Sequence, residues 1–212
     1  MAGGPRIHSS DDTSYRLTAG LRGAFFDSSW DYDVSALFGR TKTIDIGKND
    51  FLITRIAAAA LGCEDPRYGT FPGCTPWDIW TDNISPEAAA AMAGNSFGIY
   101  KTSYSALSAE ATGYLGWGFP SAAGEEIGLA VGMERRKYTF QTEYDGDSAA
   151  GNFAGAGASD LPVDASNIVN DFFIEAALPI YVGDGAFNRF DASLGYRYSV
   201  DDTMGNYDTY KV

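Results

Sequence analysis

The chain of 212 residues carries a formal net charge of −13 and has a pI near 4.3. This acidity argues against a nucleic-acid partner and against adhesion to anionic lipid headgroups, because both contacts depend on surface Lys and Arg. Aromatic residues make up 14% of the chain and 25 residues are glycine, a composition that favours short strands over long helices.

The first two strands are predicted within SYRLTAGLRGAF and WDYDVSALFG, residues 14–25 and 30–39. Apolar and polar side chains alternate in both, as in a strand with one apolar and one polar face. Neither these segments nor any other part of the chain contains about 18 consecutive apolar residues, so no transmembrane helix is expected. The N-terminal MAGGPRIHSSDDTS likewise lacks the apolar core of a signal peptide.

A long connection, residues 43–98, follows and is rich in Gly, Ala, Asp and Pro. Cys63 and Cys74 enclose Pro66, Gly69 and Pro72 there, which indicates a segment that folds back on itself. We predict a disulfide between the two cysteines, which indicates an oxidising compartment, with two free thiols as the alternative.

The same connection contains SPEAAAAMAG, residues 85–94, in which Ser85 is typical of a helix N-cap and Pro86 of a first helical residue. One short surface helix is therefore expected, ending before Gly94. Exposed aromatic rings can stack on sugar rings or on the catechols of siderophores. On this basis we predict ligand contacts at Tyr68, Trp77 and Trp80, with Phe71 nearby. The alternative is that these rings pack the loop against itself.

The later strands are predicted within residues 105–119, 127–136, 171–180 and 189–199, and they repeat the alternation. A second long connection, residues 141–169, separates the two pairs and includes GNFAGAGASD, predicted as flexible loop. Eight charged residues of the six strands lie at the parity opposite to the apolar residues. These charges are Arg22, Asp33, Glu110, Glu134, Arg136, Asp171, Glu175 and Arg197. Counting from the turns predicts the pairs Arg22 with Asp33, Arg136 with Glu110 and Arg197 with Asp171.

Short turns near 25–29, 119–126 and 181–187 alternate strictly with the two long connections. Aromatic residues flank the short turns: Phe25, Phe26, Trp30, Trp117, Phe119, Tyr181 and Phe187. Both features are typical of outer-membrane barrels, whose apolar strand face meets lipid while the charged face lines the lumen. Alternation alone leaves open a soluble β-sandwich with its polar faces in water.

These segments also resemble a known family. GLRGAFFDSSWDYDVSALFGRT, GCTPWDIWTDNISPEAAAAM, SAEATGYLGWGFPSAAGEEIGLAVGMERRKYTF and FDASLGYRYSVDDTMGNYDTYKV are similar to successive barrel segments of TonB-dependent outer-membrane receptors. The resemblance is greatest to the large-barrel proteobacterial branch that takes up glycans or siderophores. It implies that residues 1–212 form about seven antiparallel strands of a 22-stranded transmembrane barrel, with residues 43–98 and 141–169 outside the cell.

The resemblance implies location in the outer membrane of a Gram-negative bacterium and energised uptake of a small nutrient ligand. The implied partners are the remaining barrel strands, a plug domain, TonB and outer-membrane lipid. Neither a plug nor a TonB-contacting segment is found among the 212 residues, so a middle slice of such a receptor is expected. A passive porin or adhesin barrel and a soluble glycan-binding sandwich are the alternatives.

No catalytic residue, metal site or cofactor is expected. GNSFG, residues 94–98, matches the pattern of a nucleophile elbow, but such an elbow needs a strand before the serine and a helix after it. Here the predicted helix precedes Ser96, and the single histidine, His8, lies in a polar N-terminal segment. The match is therefore interpreted as chance.

Overall fold

The computed structural model describes residues 4–25, 29–81, 84–156, 158–185 and 187–212. These residues form one seven-stranded antiparallel sheet whose strands are neighbours in chain order, as the sequence predicted. The strands are β1 (Ile7–Ala24), β2 (Trp30–Phe51), β3 (Ala93–Tyr114), β4 (Gly128–Tyr144), β5 (Asp164–Val182), β6 (Arg189–Asp201) and β7 (Gly205–Lys211). β1 and β7 are the two edges of this sheet.

Several strands are longer than predicted. β2 continues to Phe51 and β3 begins at Ala93, so the first long connection is 52–92 rather than 43–98. The second is 145–163 rather than 141–169. At the start of β1, IHSSDDTS has polar residues at both parities, so the alternation signal is absent there. In the opposite direction, β3 ends at Tyr114, which leaves Trp117 and Phe119 in the turn.

The strict alternation of short and long connections was wrong for the last connection. β6 and β7 are joined by a turn of three residues, 202–204, where the pattern predicts a long loop. Asp201 stabilises this turn because its carboxylate accepts hydrogen bonds from the backbone N–H groups of Thr203, at 2.8 Å, and Met204, at 2.9 Å.

The described residues contain three α-helices, where the sequence predicted one. α2 (Pro86–Met92) is the predicted helix, and its N-cap is Ser85, whose hydroxyl accepts the N–H of Ala88 at 3.1 Å. The helix ends at Met92, and Gly94 lies in β3. α1 (Ile53–Ala60) and α3 (Gly146–Ala149) were missed. No side chain caps the start of α1, so the usual sequence signal is absent. Among the described residues, no helix has the length and apolar character needed to cross a membrane.

The chain divides into two compact units. The first comprises Met1–Ser14, Thr41–Thr102 and Phe140–Ala165. Its buried side chains come from the two long connections: Leu52, Ala58, Ala59, Ala88, Ala89, Met92 and Phe153. Leu52 forms an isolated antiparallel β-bridge with Phe153 through the backbone. The N–H of Ile53 donates to the carbonyl of Asn152 at 2.7 Å. The prediction that residues 151–160 are a loose loop was therefore wrong for Phe153, which is buried.

The second unit comprises Tyr15–Arg40, Ser103–Thr139 and Ser166–Val212. It contains parts of all seven strands and the three turns that follow β1, β3 and β5. A single 3-10 turn, Pro120–Ala122, lies between β3 and β4. Phe26, one of the aromatics predicted beside the first turn, lies outside the described residues.

Candidate functional site

The two faces of the sheet in the second unit differ in chemistry. We call the face that carries Asp33, Glu110, Glu134, Asp171 and Arg197 the polar face. The opposite, apolar face carries Tyr15, Leu17, Leu21, Val34, Phe38, Leu107, Met133, Phe172, Ile174, Phe190, Leu194 and Tyr196. The β5–β6 register separates the two sets, because Asp171 is opposite Ser199 and Ile174 is opposite Tyr196. The period of two along each strand therefore gives the two faces that the sequence predicted.

The apolar face is exposed, unlike that of a water-soluble sheet, whereas on the polar face Asp171 is buried and Glu110 and Arg197 are exposed. Every large side chain assigned above to the apolar face is exposed, with Leu17 at 68% and Leu194 at 45%. The fully buried strand positions described in this unit all lie on the polar face. They are Val169, Asp171, Pro179, Ser199 and Asp201. A soluble sheet buries its apolar face and leaves charges in water.

A charged cluster lies at the centre of the polar face. The Arg136 guanidinium donates to the carboxylate of Asp171 at 2.5 Å and lies 3.8 Å from that of Glu134. The Ser199 hydroxyl donates to the other Asp171 oxygen at 2.5 Å. Asp171 is only 1% exposed, so its charge depends on these partners rather than on water. The cluster links β4, β5 and β6.

The pairing of Arg136 with Glu110 was wrong. The hydrogen-bonded ladder between β3 and β4 ends at Leu115 and Ile127, where the N–H of Leu115 donates to the carbonyl of Ile127 at 3.0 Å. The connection is therefore longer than the turn assumed at 119–126, and the two strands are displaced relative to the predicted register. Arg136 instead reaches across to Asp171 on β5.

The prediction that Arg197 pairs with Asp171 was also wrong, because the two residues are not directly opposite each other in the β5–β6 register. Arg197 lies opposite Phe173, and its guanidinium is 5.3 Å from the centre of that ring. The β5–β6 turn is shorter than the assumed 181–187, because Tyr181 pairs with Phe190 and Val182 with Arg189, and this displaces the register. Pro179 has no N–H to donate to the ladder, which favours the register shift between Pro179 and Tyr181.

Two cavities lie on the polar face near the short turns. Arg22 and Asp33, the third predicted pair, line one of about 360 Å³ together with Glu110. The second cavity, of about 810 Å³, is lined by Glu175, Asp191 and Arg189 among others. Arg189 binds Glu125 at 2.8 Å and Asp191 at 2.6 Å, and Lys211 lies 3.5 Å from Glu175. All eight predicted charges thus lie in the second unit, and no cluster of three or more metal-binding side chains occurs in the described ranges.

The aromatic residues predicted beside the short turns are mostly exposed in the described part of the chain. Phe25, Trp117, Tyr181 and Phe187 are exposed, whereas Trp30 and Phe119 are half-buried. Phe25 packs on Tyr32 with ring centres 5.1 Å apart. Aromatic residues that have apolar surroundings on one side and water on the other are enriched where a protein meets a membrane interface.

The predicted ligand contacts lie in the disulfide loop, which we define as Cys63–Thr81. Its disulfide joins Cys63 to Cys74 as predicted. Trp80 is 89% exposed and Tyr68 is 45% exposed. Trp77 is half-buried, and its backbone N–H donates to the carbonyl of Ala59 at 2.9 Å. Phe71 is half-buried against the guanidinium of Arg55 at 5.6 Å. Trp77 and Phe71 therefore support the loop, whereas the rings of Tyr68 and Trp80 are exposed to solvent.

A hydrogen-bond network that the sequence did not reveal holds the second long connection. The Asp145 carboxylate accepts the N–H of Ser148 at 3.0 Å, the Ser148 hydroxyl at 2.7 Å and the N–H of Phe97 at 2.7 Å. Burial disfavours the charge, but these hydrogen bonds outweigh it and lower the pKa of Asp145 below its ordinary value of 3.8. The carboxylate is the N-cap of α3 and ties it to β3.

We expect Asp145→Asn to lower the free energy of unfolding of the first unit by about 1–2 kcal/mol at pH 7. Because the folded-state pKa is depressed, this stabilisation is fully present above the ordinary aspartate pKa and is lost as pH falls through the lowered value. Hydrogen exchange at Ala149 and Ala150, measured from pH 7 to pH 3, should show the two proteins converging below about pH 4. Glu64→Gln is the control and should show no such convergence. A difference that stays constant to pH 3 would contradict the assignment.

Compared with known protein families and with curated proteins, the chain matches none of them.

Proposed function

We propose that the second unit is part of the wall of an outer-membrane transport barrel that resembles a TonB-dependent receptor and takes up a small nutrient. The observation that carries the proposal is the exposed apolar face of the sheet. Its apolar face is uncovered, while its polar face holds the ionic cluster of Arg136 and Asp171. Lipid on one side and a polar lumen on the other would account for both.

The free energy of apolar burial favours lipid over water as the surroundings of the apolar face. Each large apolar side chain left in water forgoes about 1.5–3 kcal/mol of burial free energy. The dozen such side chains on this face are on average about half exposed, so together they forgo on the order of 10–20 kcal/mol, which is comparable to the usual net stability of a domain. A soluble sandwich would cover this face with a second sheet, but the described strands all belong to one sheet.

The parts of β1 and β2 in the second unit have the length of a transmembrane strand. β1 contributes residues 15–24 and β2 residues 30–40, that is 10 and 11 residues. A tilted transmembrane strand needs about 9–11 residues. Lys101 on β3 and Glu143 on β4 lie in the first unit and form an ion pair at 2.5 Å. They have the same parity along their strands as Leu107 and Met133. On β4 the apolar pattern already ends at Met133, because Arg135 and Lys137 follow at the same parity within the second unit.

A wall of this kind requires more strands than these seven. Backbone N–H and C=O groups at an open edge find no partner in hydrocarbon, so a sheet spans a membrane only when closed. The proposal therefore requires further strands to pair with β1 and β7, in keeping with the 22 strands of the resembling receptors. A plug domain inside the barrel would then face the polar lumen charges.

The long connections would face the outside of a Gram-negative cell and bind the nutrient, and TonB would supply the energy for its passage. A glycan and a siderophore-type ligand are both compatible with this role. A passive porin or an adhesin barrel is the alternative. It differs in its response to loss of the proton gradient, which stops TonB-driven uptake and leaves passive uptake unchanged.

The membrane assignment can be tested with single cysteines on β6. Leu194→Cys and Ser193→Cys lie on opposite faces. Each is labelled with a fluorophore in a complete barrel that contains this chain and is reconstituted in lipid vesicles. We expect quenching at position 194 by nitroxides in the acyl chains, and at position 193 by aqueous iodide. The same contrast should appear at Ile174 and Phe173 on β5. Equal quenching by iodide at both parities would exclude a lipid-facing sheet.

A further inference from the structure

We infer that the disulfide loop binds an uncharged saccharide, with the indole of Trp80 as its stacking platform. This inference rests on the proposed function, in which the long connections contact the nutrient. It narrows that ligand to one chemical class and excludes anionic ligands such as ferric catecholates and uronic acid polymers.

Trp80 is held out into solvent by a short turn. The Thr81 N–H donates to the carbonyl of Asp78 at 3.1 Å, and the Trp80 N–H donates to the Asp78 carboxylate at 3.0 Å. The start of the turn is tied to α1 by the hydrogen bond from Trp77 to Ala59. An indole at 89% exposure on a turn with this many backbone constraints loses little conformational entropy when a ligand stacks on it.

Trp80 is a more accessible platform than Tyr68. The Arg67 guanidinium lies 5.9 Å from the centre of the Tyr68 ring, so a cation already occupies one face of that ring. Arg67 is held there by Asp65, at 2.8 Å, which lowers the pKa of Asp65 to about 2 through the hydrogen bonds from the Arg67 side chain and backbone. Among the described residues, no ring or guanidinium stacks on Trp80.

The charge of the first unit favours a neutral ligand. Its sequence contains 6 Lys and Arg against 14 Asp and Glu. Arg6, Arg67 and Lys101 are already paired with carboxylates, and Arg55 donates to the carbonyls of Ala91 and Ala93. An anionic ligand would meet net repulsion and few free cations. A neutral sugar has apolar C–H faces that stack on an indole and hydroxyl groups that donate to carboxylates.

The test measures binding of three neutral hexasaccharides, with β-1,4-glucose, α-1,4-glucose and β-1,3-glucose linkages, to the full chain in lipid vesicles. Hexagalacturonate is the anionic probe of equal length. We expect at least one neutral probe to bind and to shift the tryptophan fluorescence, with hexagalacturonate about tenfold weaker or more. Trp80→Ala should weaken the neutral probe by about tenfold, whereas Trp80→Phe should retain most of the affinity.

Trp117→Phe is the matched control, because Trp117 is also an exposed indole but lies in the second unit. It should leave the affinity unchanged. Absence of binding by all three neutral probes at millimolar concentration, preference for hexagalacturonate, or full affinity in Trp80→Ala would each overturn the inference. Lipid quenching at a labelled Leu194→Cys, read in the same vesicles, reports the wall assignment separately, so a failed saccharide site leaves that result standing.

Discussion

Replacing Asp171 with Ala is expected to lower the free energy of unfolding by about 3 kcal/mol, at the low end of the range for breaking a buried ion pair. The change leaves the Arg136 guanidinium without its 2.5 Å partner and the Ser199 hydroxyl without an acceptor. Arg136 keeps some solvent contact, at 26% exposure, and keeps Glu134 at 3.8 Å, which limits the loss. Urea unfolding in detergent micelles, followed by tryptophan fluorescence, measures the effect.

Glu175→Gln is the matched control for this experiment. Glu175 lies on the same strand and the same face, but its pair with Lys211 is 3.5 Å long and about half exposed. Exposed pairs contribute about 0–1 kcal/mol, so the control should change stability by less than that. Restoring part of the loss with the double variant Asp171→Ala and Arg136→Met would confirm that the unpaired cation is its source. Equal, small effects at positions 171 and 175 would contradict a buried cluster.

Replacing Leu194 with Arg is expected to lower the folding free energy in lipid vesicles by about 2–4 kcal/mol, the cost of placing this cation at mid-bilayer depth. Leu194 lies opposite Ala176 on the apolar face. The next apolar position on β6, Tyr196, lies opposite Ile174. Ser193→Arg, one residue away on the polar face, should change the same quantity by less than about 1 kcal/mol. The comparison separates the faces because both variants add the same side chain to the same strand.

Folding yield into vesicles, measured by protease protection over a urea series, gives both free energies. If Ser193→Arg proves as costly as Leu194→Arg, the apolar face does not contact lipid and the proposed wall is wrong. Both variants are compared in a complete barrel that contains this chain, because an open sheet does not insert. If both are neutral there, the apolar face does not contact lipid, which contradicts the proposal equally.

The division of side chains between two faces could be predicted because strand geometry has a period of two, and this period appears directly in the residue order. Asp171, Glu134 and Leu194 were assigned to their faces without any knowledge of the register. The disulfide and the N-cap at Ser85 were predictable for a similar reason, since each depends on residues close in sequence.

The partners of the charges were not predictable, because they depend on register. A connection that begins at Leu115 and a β5–β6 turn shorter than the assumed 181–187 each displaced a pair that counting from the turns had predicted. α1 was missed because a run of Ala57 to Ala60 carries no capping signal, and packing of Ala58 and Ala59 into the first unit supplies its stability instead. Tertiary packing, which the residue order does not display, decided these features.

The contact between the two long connections limits how they can evolve. Surface loops commonly accept insertions and substitutions independently of one another. Here the Asn152 side chain accepts the N–H of Thr54 at 3.0 Å and donates to its hydroxyl at 3.0 Å, and Phe153 forms a backbone β-bridge with Leu52. A change of specificity acquired through residues 145–163 would therefore alter the support of residues 52–92 as well, so selection would act on the two loops as one inherited unit.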